Sequence, residues 1–316
     1  MTPDRKILLL DRSEVRATLE WTPLLQATRA ALIHLTAVQA PPSVATQLPV
    51  PGGYLHLKSG AVLEPPALAV KANLRPDSGG ADGLIAVFDH QRQTLRAILA
   101  SADITPMRTA AIAGIAAQAL QLNPDAVVGL VGAGPVARYT GQVLVHLGLG
   151  KAGMRVWSRR RDRAQSLVDE LPGSNLRRVC ADIAEAVHGA DLVVTCTPAR
   201  VPLLQPGHVN DNAVVLAMGA DGPGKRELAD GILDSAELIA DDPEEAFRVG
   251  EFVHLTPADK GDVLSLGDLL KGHSRPKRHG RRTVVDSVGS SAVDAAVSAM
   301  VLELAQARGS GTWIGF

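Results

Sequence analysis

The 316-residue sequence is poor in cysteine. Its two thiols, Cys180 and Cys196, sit in no CxxC pair and beside no histidine cluster. A disulfide scaffold and a zinc site are therefore not expected, and both thiols read as buried residues in or beside strands. Aromatic residues make up only 3% of the chain, which argues against an aromatic-lined pocket. Charge of one sign is missing too. The 32 Lys+Arg nearly cancel the 33 Asp+Glu, leaving no global field for nucleic acid or an anionic membrane. Long apolar runs are absent from the N-terminus: KILLL is closed by Asp11 and Arg12, far short of a signal-peptide core or a membrane span. A cytoplasmic protein is the expectation. The 20 prolines and 30 glycines follow no period, so no repeat or low-complexity segment is read.

What is present is an ordinary globular composition, 46% hydrophobic and 21% charged, in a chain long enough for two domains. The most informative stretch is AVVGLVGAGPVARYTGQVLVHLGL, from Ala126 to Leu149. An unbroken apolar run ends in Gly132, Ala133, Gly134 and Pro135, after which apolar residues recur every third or fourth position. That change of period reads as a buried strand, a tight turn and a helix, the first unit of a dinucleotide fold. Gly132 and Gly134 suit a sharp turn whose backbone must come close to a pyrophosphate over the helix N-terminus. The small Ala137 lets helix and strand pack closely.

Before this unit, Lys6 to Leu10 reads as a strand and Thr22 to Val38 as an amphipathic helix. From Pro41 to Phe88 short apolar stretches separated by proline and glycine read as a mostly antiparallel sheet. Two of these stretches carry Lys58 and Lys71 among apolar neighbours. Either lysine alone is readily explained by a stem lying on the sheet with its head in solvent; two in neighbouring strands suggest an anion pocket. Ile104 to Leu120 reads as a closely packing helix with Arg108 in its first turn, either a surface ion-pair residue or a third cation for a carboxylate. Asn123-Pro124 reads as the boundary before the nucleotide domain.

Beyond the glycine turn, strands are expected at Met154–Trp157, Val179–Ala181, Asp191–Thr197, Asn212–Met218 and Ser235–Asp241, with a helix from Asp182 to His188. Strand and helix alternation of this kind argues for a parallel sheet covered on both faces. The second strand ends in Ser158, Arg159 and Arg160 rather than in an acid for a ribose hydroxyl. That pattern favours the 2′-phosphate of NADPH, with NADH possible. A small helix is expected around Leu264 to Leu270. The basic stretch HSRPKRHGRR reads as a solvated loop. VVDSVGSSAVDAAVSAMVLELAQA then gives a strand, a turn at Gly289 and a closing helix that returns to the first domain.

Taken together these segments resemble the ornithine cyclodeaminase and mu-crystallin family. AVKANL with Lys71, ITPMRTAA with Arg108, VGLVGAGPVAR, VWSRRRDRA, GADGPGKREL with Asp221, SLGDLLKG and DSVGSSAVDAA follow in the family's order. The resemblance implies an α/β protein in which a Rossmann domain, 123–288, is inserted into an α+β substrate-binding and dimerisation domain, 1–122 with 289–316. It also implies a homodimer acting on α-amino or α-imino acids with a nicotinamide cofactor; no metal is expected, since the sequence gives metal dependence no support. By the resemblance Lys71 and Arg108 bind the substrate carboxylate, and Lys71 and Asp221 are the catalytic pair, with Asp221 at the reacting nitrogen. Gly132, Gly134, Pro135, Val136, Ser158, Arg159, Arg160, Thr197, Met218, Gly219, Ser287 and Gly289 hold the cofactor. Many members have an arginine after the proline pair, where this chain has Ser43, and Lys58 is the candidate for the missing charge.

The activity so implied is an NAD(P)H-dependent reductase of cyclic ketimines such as pyrroline-2-carboxylate, or the reverse amino-acid dehydrogenase. The alternatives are an ornithine cyclodeaminase that recycles NAD, and a cofactor-binding protein without catalysis.

Overall fold

In the computed structural model, which describes residues 6–37, 41–63, 66–76, 80–172, 176–274 and 280–315, the chain divides into two units. Unit 1 comprises residues 1–108 and 290–316, and unit 2 residues 109–289. The sequence reading set the first crossing after residue 122; the structure sets it inside a helix, after Arg108.

Unit 1 begins with β1 (Lys6–Leu10), α1 (Arg12–Thr18) and α2 (Trp21–His34). The sequence reading missed α1 and began α2 one residue late. Asp11 caps α1 by accepting from the Glu14 N–H while Glu14 reaches back to Asp11, a local capping box that starts a helix within seven residues. Val38, the expected end of the second helix, lies outside the described residues.

Four long antiparallel strands and their partner follow: β2 (Val44–Val50), β3 (Gly53–Leu63), β4 (Pro66–Pro76), β5 (Asp82–Asp89) and β6 (Thr94–Ala100). β1 lies parallel to β6. Burial alternates residue by residue in β3 and β4, so His56, Lys58 and Gly60 share the inner face with Ala69, Lys71 and Asn73. The chain then enters α3 (Ile104–Ala119), whose fifth residue is Arg108, one position beyond the first turn.

Within unit 2, α3 packs through small residues. A methyl at Gly114 would lie 3.0–3.1 Å from Leu147 and Val143, which accounts for this helix grouping with the second unit. β7 (Val127–Val131) leads through the glycine turn into α4 (Pro135–His146), then β8 (Gly153–Trp157), α5 (Arg161–Glu170), β9 (Arg177–Val179) and α6 (Ile183–Val187). β10 (Leu192–Thr195), β11 (Val214–Ala217), β12 (Glu237–Ala240), α7 (Pro243–Val249), α8 (Pro257–Lys260), β13 (Leu264–Ser265), α9 (Leu266–Lys271) and β14 (Thr283–Asp286) complete it. The eight strands are all parallel, in the order β13-β12-β14-β11-β10-β7-β8-β9. β10, β11 and β14 are buried throughout, as a sheet covered on both faces requires.

The chain returns to unit 1 as α10 (Ser291–Ala307) and β15 (Thr312–Gly315), a strand the sequence reading did not foresee, which pairs antiparallel with β1. α10 lies directly on β3: a Cβ at Gly60 would stand 2.4 Å from the Ser291 backbone, so only glycine admits the helix there.

Smaller differences have local causes. β9 ends two residues before the expected Ala181, because Asp182 turns to cap α6. Cys180 is buried as expected, whereas Cys196 is only half-buried. Residues 275–279 of the basic stretch lie outside the described residues, and Arg282 at its end is no solvated loop residue. It is 8% exposed and donates to the Val209 carbonyl at 3.0 Å and to Asp211 at 3.3 Å. Among the described residues, no helix is long and apolar enough to cross a membrane, and no group of three His, Cys, Asp or Glu side chains is gathered as for a metal.

Candidate functional site

The chemistry of unit 1 centres on two lysines in register. Lys58 of β3 stands directly opposite Lys71 of β4, and they are 6% and 1% exposed. Like charges facing each other across a sheet repel, and both are out of water, so a counter-charge is required. Asp294, in the first turn of α10, supplies it. Its Oδ2 accepts from Lys71 Nζ at 2.5 Å and its Oδ1 from Arg108 Nε at 2.7 Å. Burial raises the Asp294 carboxyl, but Arg108, Lys71 and Lys58 outweigh that and hold it at about 2. Burial in turn pulls the Lys71 ammonium down to about 7, against the opposing pull of Asp294.

Three cations thus surround one carboxylate. Arg108 is 3% exposed, and its Nη1 has no hydrogen-bond partner among the described residues. A buried guanidinium with an unused N–H is arranged to receive a further acceptor. The same face continues with Asn73, whose Oδ1 accepts from Ser101 Oγ at 2.5 Å, and with the buried His56 directly opposite Asn73. Ser43, which stands where the family resemblance would place an arginine, lies 3.3 Å from Ser290 at the start of α10.

In unit 2 the glycine turn has the shape a pyrophosphate needs. Gly132 has φ +121°, and a Cβ there would lie 2.6 Å from the Cys196 carbonyl. Gly134 is the N-cap of the twelve-residue α4, Pro135 its first residue, and a Cβ at Gly134 would meet open space. The helix end therefore presents bare N–H groups to a room that can take a phosphate. Val136 is half-buried at the same end, and Ala137 is fully buried against the sheet.

At the end of β8, Arg160 N–H donates to Ser158 Oγ at 3.4 Å, and the Arg160 guanidinium is taken by Asp162 at 2.8 Å. Asp162 thus occupies one of the expected phosphate binders. Arg159 is exposed.

The remaining predicted cofactor residues lie on loops at the carboxyl edge of the sheet. Met218 N–H donates to the Thr195 carbonyl at 2.8 Å. Ser287 Oγ and Gly289 N–H both donate to Asp241, at 2.7 and 3.0 Å, and Gly289 has φ +73°. Thr197 and Gly219 are both tied to the buried Glu227. Asp221 is not at a strand end, since β11 stops at Ala217. It sits in the loop beyond, with its carboxylate on Lys225 Nζ at 2.5 Å and its N–H on the Gly219 carbonyl at 3.0 Å.

Sequence reasoning missed Asp294, Asn73, His56 and Glu227. The strand positions were available in principle, since His56 and Asn73 lie two residues from Lys58 and Lys71 and so share their face. Asp294 and Glu227 have no such mark, because their role comes from partners distant in the chain.

The parallel sheet, its glycine turn and the loops at its carboxyl edge define unit 2 as a Rossmann dinucleotide-binding domain. Residues 9–309 match the model of the ornithine cyclodeaminase/mu-crystallin family, and the chain belongs to that family. It is 31% identical over 219 residues to the ketimine reductase mu-crystallin of Mus musculus, covering 69% of this chain and 68% of that protein. The alanine dehydrogenase of Archaeoglobus fulgidus is 28% identical over 332 residues, 98% of each chain. A solved archaeal alanine dehydrogenase dimer with bound NAD superposes with a TM-score of 0.87 at 26% identity, covering 99% of this chain and 100% of that one. The chain accordingly falls among the NAD(P)-dependent oxidoreductases acting on imines and amino acids.

Asp294 is expected to be a condition of unit 1's stability. Asp294→Asn leaves Lys71 and Arg108 buried without their carboxylate and should cost about 3–5 kcal/mol in urea unfolding at pH 7. The folded carboxyl lies below its unfolded value of 3.8, so its contribution is present above that pH and lost as pH falls toward about 2. The gap between wild type and variant should narrow over that window. A difference under about 1 kcal/mol at pH 7 would contradict the assignment.

Proposed function

We propose that the protein is an NAD(P)H-dependent reductase of α-imino acids, cyclic ketimines such as pyrroline-2-carboxylate among them, and that it runs the reverse amino-acid dehydrogenation. The observation that carries this is the unused Nη1 of buried Arg108, on the same aspartate as the buried Lys71. Such a site favours a small carboxylate, which guanidinium and ammonium groups hold through charge-assisted bonds. The similarity to a ketimine reductase, the mouse mu-crystallin, supports an imine as the reacting group.

In this reading Arg108 and Lys71 take the carboxylate, with Lys58 supplying charge in place of the arginine absent at Ser43. Their placement on a rigid sheet and a packed helix fixes the substrate's α-carbon, and fixed orientation is itself a large part of rate enhancement. The nicotinamide cofactor, when bound, supplies the hydride. Asp221, its carboxylate held by Lys225, stabilises the protonated imine, which the hydride converts directly to the amine, and the same carboxylate exchanges a proton with the amine nitrogen. Gly132, Gly134, Pro135 and Val136 hold the pyrophosphate, and Thr197, Met218, Gly219, Ser287 and Gly289 line the rest of the cofactor's path. Ser158 and Arg159 favour NADPH over NADH, with Arg160 partly withdrawn by Asp162.

The test is nicotinamide absorbance with pyrroline-2-carboxylate and piperideine-2-carboxylate, each with NADPH and NADH. Rapid oxidation, faster with NADPH, is expected, and Arg108→Met should lower kcat/KM about 100-fold or more while cofactor affinity stays within about twofold. No oxidation with either cofactor, together with proline and ammonia formed from ornithine, would show a cyclodeaminase instead. Cofactor binding without any turnover would show a binding protein.

We propose further that the protein is a cytoplasmic homodimer. The face of the unit 1 sheet opposite Lys58 and Lys71 is apolar, and Val44, Leu48, Leu74 and Leu84 on it are 41–56% exposed. A sheet face of this kind is normally covered. Leu48→Asp with Leu74→Asp should turn a dimer into a folded monomer in sedimentation velocity. A wild-type monomer would overturn the dimer reading.

A further inference from the structure

Glu227 was not among the residues expected to matter, yet it is fully buried and its carboxylate is saturated with donors. Oε1 accepts from Thr197 N–H at 2.6 Å and Thr197 Oγ at 2.7 Å. Oε2 accepts from Thr195 Oγ at 2.7 Å and Gly219 N–H at 2.9 Å. Two donors on each oxygen fill the acceptor capacity of an ionised carboxylate. The backbone of Glu227 is itself held, its N–H donating to Glu251 at 2.6 Å. The packing admits no substitute at Gly219, where a Cβ would stand 2.2 Å from the Thr197 carbonyl and 2.6 Å from the Glu227 carboxylate.

The topology says which half of a dinucleotide these loops serve. β7 and its glycine turn take the pyrophosphate, and β8, which Ser158 follows, lies on one side of β7 with the adenosine half. β10 and β11 lie on the other side, so the loops after them, with Thr197 and Gly219, belong to the nicotinamide half. A single carboxylate clamps both of those loops.

We infer that Glu227 is a positioning residue for the nicotinamide half of the cofactor, fixing the Thr197 and Gly219 loops through its four hydrogen bonds. The inference rests on the proposed dinucleotide site. Glutamine at this position has nearly the same shape but only one acceptor oxygen, so it would set its amide N–H groups against two of the four donors. The loops would lose their common anchor, while the glycine turn after β7, which Glu227 does not touch, would be unaffected.

The experiment compares Glu227→Gln with the wild-type chain for binding of NADH, NADPH and ADP-ribose by calorimetry, with urea unfolding in parallel. ADP-ribose keeps the adenosine and pyrophosphate and lacks the nicotinamide. The variant is expected to bind the reduced cofactors at least tenfold more weakly and ADP-ribose within about twofold of wild type. Equal weakening of all three ligands would mean a general structural role and overturn the inference, as would unchanged cofactor binding. If Glu227→Gln does not fold, Thr197→Val, which removes the hydroxyl donor to Glu227, should show the same selective loss, with Thr197→Ser restoring affinity; absence of that pattern would also overturn it. Failure of the wild-type chain to bind any of the three would instead remove the dinucleotide site beneath the inference.

Discussion

One carboxylate makes the inner face of unit 1 possible. Lys58 and Lys71 face each other across two strands with almost no exposure, and Arg108 is buried with them. Without Asp294, Lys71 and Arg108 would lose the carboxylate that holds them, a cost of several kcal/mol for each ion. With it, Lys71 and Arg108 are pinned to the two oxygens of the same group, and their direction is set by α10. Stability alone does not call for this arrangement, since an apolar face would pack as well. The proposed substrate-carboxylate site would call for it, because the cations would have to be in place before the ligand arrives.

Unit 2 solves a similar problem at its carboxyl edge. Loops that receive a cofactor have backbone N–H groups that no strand partner satisfies, and buried acids take them up. Glu227 gathers Thr195, Thr197 and Gly219; Glu251 takes the N–H groups of Glu227 and Leu228; Asp286 takes that of Phe252; and Asp241 takes those of Val288 and Gly289. Burial pushes Glu251 up to about 7 and Asp286 well above the usual carboxylate range, the expected cost of placing acids in a dry, acid-rich region. Loop order is obtained here from side chains, where helix caps or water would otherwise serve.

Much of the fold was legible in the sequence because its periods are strong. The unbroken apolar runs of β7, β10, β11 and β14 and the glycine turn before α4 carry their structure locally, and β1, β8, β9, β10, β11 and β12 came within about two residues of their observed bounds, whereas β6, beyond the sheet expected to end at Phe88, was not read. The alternation of β3 and β4 placed Lys58 and Lys71 on strands but could not reveal their exact facing register. α1 was lost because its signal is a capping box rather than a period, and β15 because an edge strand of four residues is specified by its partner β1. The candidate site was legible where a residue is conspicuous in its own neighbourhood, as a lysine among valines is. Asp294 and Glu227 were not, since an aspartate near a helix start and a glutamate in a loop are unremarkable until distant donors converge on them.

The central claim is that the cations around Asp294 bind the substrate's carboxylate. The direct test is kcat/KM for pyrroline-2-carboxylate against its uncharged carboxamide, whose ring and imine are otherwise the same. A loss of about 100-fold or more for the carboxamide is predicted, shrinking to a few-fold in Arg108→Met. Comparable turnover of acid and amide by the wild-type protein would contradict the account, because buried cations that ignore the carboxylate would then serve some other ligand.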